Sequence, residues 1–249
     1  MEVIVIGSSG TFPRPGGACN GYLVRHGATN MLLDIGTGVL SRLYDSVSPG
    51  DLDALVITHL HPDHFLDIYP YRYYLEFCAA PKLPLKVYAP ADAPSYIKPL
   101  FNEPDPAKFD RVFDFIDIGQ AGAFEVGSLS VTGREVNHLK PTYGISVEAG
   151  GGRLFYTSDT AYDDRLIDYA GDVDVLLAEA TFLAAQAGSP VPHMTTREVG
   201  RLAREANVGH LVLTHLWPHF DRRRILAEVK TEFDGRISLA DEGLMVEVR

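Results

Sequence analysis

The stretch Ala54-Leu55-Val56-Ile57-Thr58-His59-Leu60-His61-Pro62-Asp63-His64 indicates both the type of fold and where its chemistry lies. Its apolar beginning predicts a buried strand, which delivers the following loop to the edge of a sheet, where α/β proteins place their chemistry. Residues two apart in extended chain point the same way, so His59 and His61 can bind one ion. A proline then turns the chain, which lets Asp63 and His64 face a second ion. Imidazole and carboxylate ligands suit zinc, and also iron or manganese.

The composition is that of a globular protein and not of a disordered or strongly nucleic-acid-binding one. The chain has 249 residues, a formal net charge of −11 and a mean hydropathy near zero. A chain of this length can bury a large core, and its acidic balance argues against a large nucleic-acid footprint, which usually needs a basic face. No apolar run approaches the ~18 residues of a membrane-spanning helix, and residues 1–7 predict a first strand, not a signal peptide.

The two cysteines, Cys19 and Cys78, lie far apart in the sequence and form no Cys-x-x-Cys pattern. We interpret both as small core residues and not as a disulfide or as metal ligands. Together with the features of the N-terminus, this cysteine usage predicts a protein of the reducing cytoplasm.

Alternating apolar runs and turn residues predict two mixed sheets with helices outside them, in a single domain spanning residues 1–249. Strands are predicted at 3–6, 21–25, 30–34, 54–57, 85–88, 113–118, 129–136, 143–148, 153–156, 173–178, 211–213, 237–239 and 244–248. Helices are predicted at 39–47, 65–79, 163–170, 195–206 and 221–233, with Pro70 as a kink and Thr195 as a cap. The proline-rich segment 90–111 is a candidate lid or dimer contact, so a homodimer is one expected assembly.

Polar side chains able to do chemistry follow four more of the predicted strands, at His138, Asp159, Glu179 and His215. A single polar residue at a strand end does not indicate a site, since it can be a surface histidine, a hydrogen-bonded core histidine or a salt-bridge partner. The repetition after apolar runs favours convergence of all four at one edge. Asp34 also ends a predicted strand, where it can equally orient a ligand histidine or cap the next helix; only its resemblance to aspartates at this point of a known protein family favours the first role.

His59, His61, Asp63 and His64 resemble the signature of the metallo-β-lactamase superfamily of metal-dependent hydrolases. The resemblance covers nearly the whole chain and implies that superfamily's fold, a four-layer αββα sandwich of the α/β class. It also implies a site for two divalent metal ions, zinc by preference, with manganese or iron as alternatives. One ion would be held by His59, His61 and His138, and the other by Asp63, His64 and His215, with Asp159 bridging the two.

In a site of this kind two divalent ions share a water and lower its pKa, and the resulting hydroxide attacks the substrate. Asp63 can orient or deprotonate that water, whereas a leaving alkoxide needs a proton. Glu179 and His193 resemble the ribonuclease Z branch of the superfamily, in which the histidine donates this proton and the glutamate orients it. The resemblance therefore implies a phosphodiester substrate. The alternative is that Glu179 is a salt-bridge partner and His193 a loop residue before a helix.

We predict a metal-dependent hydrolase that cleaves a cyclic nucleotide or another small phosphodiester. Ribonuclease Z enzymes acting on transfer RNA usually carry a long arm, in some between the positions of His138 and Asp159, which here are only 21 positions apart. That spacing and the negative charge disfavour RNA, although a transfer RNA 3′ endonuclease is the first alternative. A thioester or lactone hydrolase and a mononuclear iron oxygenase or sulfur-handling protein are further alternatives. A non-catalytic scaffold is disfavoured because all seven ligand positions are filled.

Two further features bear on substrate binding. Arg222-Arg223-Arg224 opens the helix predicted after His215, where a guanidinium near the site could bind a phosphate. A solvated helix face explains these arginines at least as well. Tyr143, close behind His138, is a candidate for the wall of the pocket.

Overall fold

The computed structural model describes residues 1–78, 83–102, 104–105 and 107–249, and these form two seven-stranded sheets. The first sheet holds β1 (Glu2–Gly7), β2 (Gly21–His26), β3 (Thr29–Leu33), β4 (Ala54–Val56), β5 (Leu85–Ala89), β6 (Phe113–Asp117) and β14 (Met245–Glu247). The second holds β7 (Ala123–Val126), β8 (Leu129–Val136), β9 (Thr142–Ala149), β10 (Gly152–Tyr156), β11 (Val175–Glu179), β12 (His210–Thr214) and β13 (Arg236–Leu239). Every predicted strand is present to within about two residues, whereas β7 was not predicted.

The two sheets share one arrangement, an antiparallel part followed by a parallel part. In the first sheet β14, β1, β2 and β3 pair antiparallel, and β4, β5 and β6 continue parallel to β3. In the second β7, β8, β9 and β10 pair antiparallel, and β11, β12 and β13 continue parallel to β10. Parallel strands bring their carboxyl-terminal loops to the same edge, which is where the polar strand ends lie.

The core has three layers, one between the sheets and one beneath the helices on each outer face. Met31 of the first sheet and Val147 of the second belong to the central layer. The outer layers include Leu75 under the first sheet's helices and Leu202 under the second's. Helices therefore cover both sheets, and the predicted four-layer αββα sandwich is confirmed.

The helices in the described part of the chain are short. They are α1 (Val39–Leu43), α2 (Pro62–Phe65), α3 (Ile68–Phe77), α4 (Ala93–Ile97), α5 (Ala107–Asp110), α6 (Ile118–Ala121), α7 (Arg165–Tyr169), α8 (Thr196–Glu205) and α9 (Arg222–Val229). Single 3₁₀ turns lie at Pro49–Asp51, Lys98–Phe101 and Ala184–Gln186. The proline-rich segment 90–111 contains α4, one of these turns and α5, and its Pro106 lies outside the described residues.

The prediction of one kinked helix over residues 65–79 is wrong. The chain instead forms α2 and a separate α3, and Pro70 lies in the first turn of α3. A proline there removes an N–H that has no partner within the helix, so it does not kink the helix. The predicted end, Ala79, lies outside the described residues. The helices predicted to reach residues 47 and 233 also end earlier, at Leu43 and Val229.

Three smaller predictions have different outcomes. The cap of α8 is confirmed, because Thr195 Oγ1 accepts the backbone N–H of Glu198 and the Glu198 carboxylate accepts the N–H of Thr195. Cys19 is buried and free, as predicted. The prediction of a core position is wrong for Cys78, which is exposed just after α3.

No helix in the part of the chain that the structure describes has the length and apolar character needed to cross a membrane. The homodimer and the cytoplasmic location stay predictions. The same holds for the assignment of residues 1–249 to a single domain.

Candidate metal centre

The seven predicted ligands converge at one edge of the two sheets. Four lie in the loop and short helix after β4, and the other three follow β8, β10 and β12. They form two groups, each with ligand atoms within 4.8 Å of one another: His59, His61, His138 and Asp159 in one, and Asp63, His64 and His215 in the other. These two groups divide the ligands as the resemblance implied. Asp159 and His215 also form a third group with His193, and the binding of metal by any of these residues stays a prediction.

In the first group three imidazole nitrogens face one another. Nδ1 of His61 lies 3.0 Å from Nε2 of His59 and 3.2 Å from Nε2 of His138. Nε2 of His59 lies 3.6 Å from Oδ2 of Asp159. A divalent cation among these nitrogens would satisfy lone pairs that otherwise point at each other.

In the second group a histidine nitrogen lies close to two carboxylates. Nε2 of His215 is 3.2 Å from Oδ2 of Asp63 and 3.3 Å from Oδ2 of Asp159. The other oxygen of Asp159 is buried without a hydrogen bond of good geometry among the described residues, 3.3 Å from Nε2 of His64. Asp159 thus contacts members of both groups, and its unsatisfied buried oxygen fits a bridging ligand.

Oxygen atoms hold the outward-facing nitrogens of the ligand histidines. Nδ1 of His59 is held by Thr58 Oγ1 (3.1 Å), that of His138 by the carbonyl of Pro192 (2.9 Å) and that of His215 by Thr181 Oγ1 (2.7 Å). Such contacts fix the tautomer and the plane of a ligand histidine, leaving the other nitrogen for the metal. This arrangement fits metal binding through Nε2 of His59, His138 and His215. His61 differs, because it faces the first group through Nδ1.

Asp34 has the orienting role that the sequence favoured. Its Oδ2 accepts a hydrogen bond from His64 Nδ1 at 2.8 Å and another from the hydroxyl of Tyr156 at 2.9 Å. Its Oδ1 accepts the backbone N–H of Thr58, also at 2.8 Å. The N-cap of the next helix is Gly38, so Asp34 does not cap it. This buried carboxylate joins one ligand histidine to the loop that carries four ligands.

The protonation states of the site favour metal binding. Burial, together with the neighbouring histidines, lowers the pKa of His61 to about 4 and that of His59 well below its ordinary value. Burial alone would raise the pKa of Asp159, but His215 and His64 outweigh it and hold that pKa well below its usual range. His64 differs, because burial would lower its pKa but Asp159, Asp34 and Asp63 outweigh burial and raise that pKa well above the ordinary value, so this imidazole must release a proton when an ion binds. Imidazoles in the neutral form with ionised carboxylates are the donor set that divalent zinc prefers, so the residues fit the implied group.

Glu179 and His193 form a pair beside the two groups. Nδ1 of His193 lies 2.9 Å from Oε1 of Glu179, which is fully buried at the end of β11. Burial would lower the pKa of His193, but Glu179 outweighs it and raises that pKa to about 9. The His193 ring lies 5.0 Å from the ring of His138 and 5.3 Å from that of His215. A protonated histidine therefore stands next to the ligand groups, where it can act as an acid.

A cavity of about 560 Å³ opens over the site. Its lining combines members of the ligand groups and His193 with apolar and small polar side chains. The lining residues are Thr11, His61, Pro62, Asp63, Asp159, Phe182, Gln186, Ser189, Val191, His193, His215 and Trp217. Its volume falls in the range of about 300–1,000 Å³ that is usual for small-molecule sites.

Backbone strain concentrates at the site. Thr11, Asp34, Ser158 and His215 have φ angles of +66°, +58°, +53° and +52°. Positive φ is uncommon outside glycine and is unfavourable for a β-branched residue, and such strain clusters at functional sites. At Thr11 it brings the backbone N–H to within 2.8 Å of Oδ2 of Asp63.

Three site residues were not identified from the sequence. Thr181 accepts a hydrogen bond from His215 and donates to Glu179, and its position two residues after Glu179 was a usable signal. Asn20 lies with Nδ2 3.0 Å from Nε2 of His64, and Thr11 bonds Asp63. No local pattern marks these two residues, because their contacts cross from one part of the chain to another.

The structure answers two questions about substrate contacts that the sequence left open. Arg222 donates to the carbonyl of Ala240 and Arg224 pairs with Glu228, which leaves neither on the cavity. The arginines therefore belong to the solvated face of α9. Tyr143 packs against the central core layer between the sheets and does not line the cavity.

The comparisons with known proteins agree with this geometry. The family model described as the β-lactamase superfamily domain matches residues 29–216. The "Probable metallo-hydrolase YhfI" of Bacillus subtilis is 33% identical over 99% of this chain and 100% of its own length. The crystal structure of YhfI, described as a metallo-β-lactamase fold protein, superposes with a TM-score of 0.89 at 30% identity, covering 99% of both chains.

More distant similarities include proteins named for the cleavage of phosphate linkages. A ribonuclease Z of Salinispora arenicola is 27% identical over 98% of this chain and 95% of its own. A diphosphatase of the PhnP family has a TM-score of 0.74 at 18% identity, covering 98% of this chain and 96% of its own. At that identity the diphosphatase shows a shared fold alone.

Proposed function

The chain belongs to the β-lactamase superfamily, and from that premise we propose that it is a metal-dependent phosphodiesterase acting on a cyclic nucleotide or another small phosphodiester. One observation carries the proposal: Nδ1 of His193 is hydrogen-bonded to the buried carboxylate of Glu179 beside the ligand groups. Cleavage of a phosphodiester releases an alkoxide that needs a proton, and a fixed, protonated histidine can supply it. A thiolate leaving group has no such need, so the pair disfavours a thioesterase.

Each residue of the site has a role in this proposal. When bound, two divalent ions, zinc by preference, would supply an activated water and stabilise negative charge on the phosphate oxygens. One ion would be held by His59, His61 and His138, the other by Asp63, His64 and His215, and Asp159 would contact both. Asp63, fixed by the N–H of Thr11, would orient the water and accept its proton. His193 would donate a proton to the leaving oxygen while Glu179 holds its Nδ1.

Two further observations support a small phosphodiester. Ribonuclease Z and diphosphatase are names for enzymes that cleave phosphate linkages, and proteins with both names resemble this chain. The cavity holds about 560 Å³, and the chain between His138 and Asp159 forms only the hairpin of β9 and β10. These features favour a small substrate over transfer RNA.

The proposal is tested by hydrolysis of bis(p-nitrophenyl) phosphate by protein reconstituted separately with zinc, manganese and iron. We expect turnover by the unaltered protein and a loss of about 10²-fold or more in Asp63→Asn. His193→Ala is assayed with 3′,5′-cyclic AMP, which releases an alkoxide, because p-nitrophenolate, like a thiolate, can leave without a proton. For that substrate we expect a similar loss of about 10²-fold or more. Asp45→Asn, which changes an exposed carboxylate just after α1, is the matched control and should turn over normally.

Other outcomes would contradict the proposal in distinguishable ways. No turnover with two zinc ions bound per chain would point to a thioester or lactone hydrolase. No turnover with one iron bound per chain would exclude the hydrolase and favour an oxygenase or sulfur-handling protein. Turnover of 3′,5′-cyclic AMP that survives His193→Ala would remove the proton donor from the mechanism.

A further inference from the structure

Two aromatic side chains form part of the cavity wall beside the ligand groups. Phe182 and Trp217 line it together, with ring centroids 5.8 Å apart and planes at 80°. Trp217 also packs on Phe220, at 5.5 Å and 28°. The mechanism proposed above needs none of these rings, so their presence calls for a separate explanation.

Trp217 is fixed in place relative to the ligand groups. Its Nε1–H donates to Oγ1 of Thr11 at 3.2 Å, and the backbone N–H of the same Thr11 donates to Asp63 Oδ2 at 2.8 Å. The strained φ of Thr11, +66°, makes both contacts possible at once. The ring of His219 also lies 5.3 Å from that of Trp217. An indole held by a hydrogen bond and three ring contacts loses little freedom when a flat ligand stacks on it.

A polar group lies on the same wall. Oε1 of Gln186 accepts the backbone N–H of Leu183 at 3.1 Å, which fixes the amide in the 3₁₀ turn at Ala184–Gln186. Nε2 of Gln186 has no hydrogen-bond partner within the described part of the chain, and the residue lines the cavity. A fixed amide N–H beside a flat aromatic surface suits a heterocycle with acceptors on its edge, since carboxamides recognise bases in this way.

We propose that Trp217, Phe182 and Gln186 form a nucleobase site, which makes the enzyme selective for nucleoside phosphodiesters over phosphodiesters without a base. The inference rests on the proposed phosphodiesterase function, because the ligand groups would hold the phosphate while this wall holds the base. The cavity volume of about 560 Å³ accommodates one nucleotide. Stacking on an aromatic side chain is worth roughly 5- to 100-fold in affinity for a single base.

Trp217 is the only tryptophan in the chain, so intrinsic fluorescence reports on this site alone. The zinc-loaded protein is titrated with AMP and, separately, with ribose 5-phosphate, which carries the same phosphate without the base. Excitation at the red edge of the indole band avoids absorption by adenine. We expect AMP to quench the emission and to bind at least about 10-fold more tightly than ribose 5-phosphate. Equal affinity of the two ligands would overturn the inference.

Kinetics give a second readout. For 3′,5′-cyclic AMP we expect KM to rise about 10-fold in Gln186→Leu and in Trp217→Leu, and to change less in Trp217→Phe, which keeps an aromatic surface. For the base-free 3′,5′-cyclic phosphate of methyl riboside, Gln186→Leu should leave KM unchanged. Tyr44→Leu, an exposed aromatic on the outer helix layer, is the matched control. Equal effects of Gln186→Leu on both substrates would overturn the base site.

The two proposals fail in different ways. If bis(p-nitrophenyl) phosphate is not hydrolysed, the phosphodiesterase function is wrong whatever the fluorescence titration shows. If it is hydrolysed but AMP and ribose 5-phosphate bind alike, only the base site is wrong. Stronger quenching by a long-chain acyl thioester than by AMP would also overturn it and assign the wall to an acyl group.

Discussion

His193 and Glu179 form a hydrogen-bonded pair in which the imidazole Nδ1 lies 2.9 Å from one oxygen and 3.1 Å from the other oxygen of a fully buried carboxylate. The carboxylate is held in turn by the backbone N–H of Thr160 at 2.6 Å and by the hydroxyl of Thr181. Because Glu179 ends β11, an interior strand between β10 and β12, its position is set by the sheet. The histidine therefore receives its orientation from the second sheet, although it lies in a loop.

If this pair supplies the proton, replacing either residue should lower the rate of the reaction and leave metal binding unchanged. We expect His193→Ala and Glu179→Gln each to lower kcat about 10²- to 10⁴-fold while two metal ions per chain are retained. The measurement is kcat for 3′,5′-cyclic AMP, which releases an alkoxide, alongside metal content by mass spectrometry. His215→Ala is the matched control, since it should lose one ion as well as activity. Loss of an ion from His193→Ala would show instead that His193 is a ligand.

Asp34 should increase the affinity of the site for metal ions. Its carboxylate accepts the Nδ1–H of His64 at 2.8 Å and holds the loop through Thr58. Asp34→Asn keeps the shape but removes the charge that fixes this tautomer, so we expect metal affinity to fall about 10- to 100-fold. Metal retention during competition with a chelator measures this, with the exposed Asp45→Asn as control. Unchanged retention would show that the loop alone positions His64.

The candidate ligands were predictable because each is encoded locally. An apolar run followed by a polar residue marks a strand end, and the chain repeats that pattern before His59, His138, Asp159 and His215. Strand ends of parallel sheets meet at one edge, so the local pattern was enough to predict the convergence. The fold followed from the same runs, since they place apolar side chains on both faces of each sheet.

The features that the sequence did not predict depend on contacts between distant parts of the chain. Thr11 reaches Asp63 only through a positive φ, which no preference of threonine would predict. The break between α2 and α3 and the position of Pro70 in a first turn follow from where the ligand loop must lie. The position of Arg222 soon after His215 left a phosphate contact open, but its guanidinium donates to the carbonyl of Ala240.

Gly10 approaches His215 so closely that the site should not tolerate a side chain there. A Cβ at this position would lie 2.7 Å from Nδ1 and 2.7 Å from the carbonyl oxygen of His215. We expect Gly10→Ala to displace that ligand and to lower turnover about 10²-fold, the effect of a misplacement of roughly 1 Å. Gly171→Ala is the matched control, because its Cβ would make an ordinary contact of 3.5 Å with the carbonyl of Asp168. Normal activity in Gly10→Ala would show that the loop can move aside.

His210 lies at the opposite end of β12 from His215 and should make stability depend on pH. Burial, and then the charge of Arg236, lowers its pKa to about 4, whereas an unfolded histidine titrates near about 6.5. The folded state therefore favours the neutral imidazole. Its contribution to stability is fully present above about pH 6.5 and is lost as the pH falls towards 4.

Replacement by glutamine isolates this contribution, because glutamine is neutral throughout and can still bond Ser238, which lies 2.9 Å from His210 Nε2. Between pH 7 and pH 4.5 we expect the unaltered protein to lose about 1–3 kcal/mol more unfolding free energy than His210→Gln. Urea unfolding of both proteins with chelator present measures the difference, since metal release then cannot contribute. Equal losses in the two proteins would mean that His210 is protonated in the folded state without cost, through an opening of the cleft in which it lies.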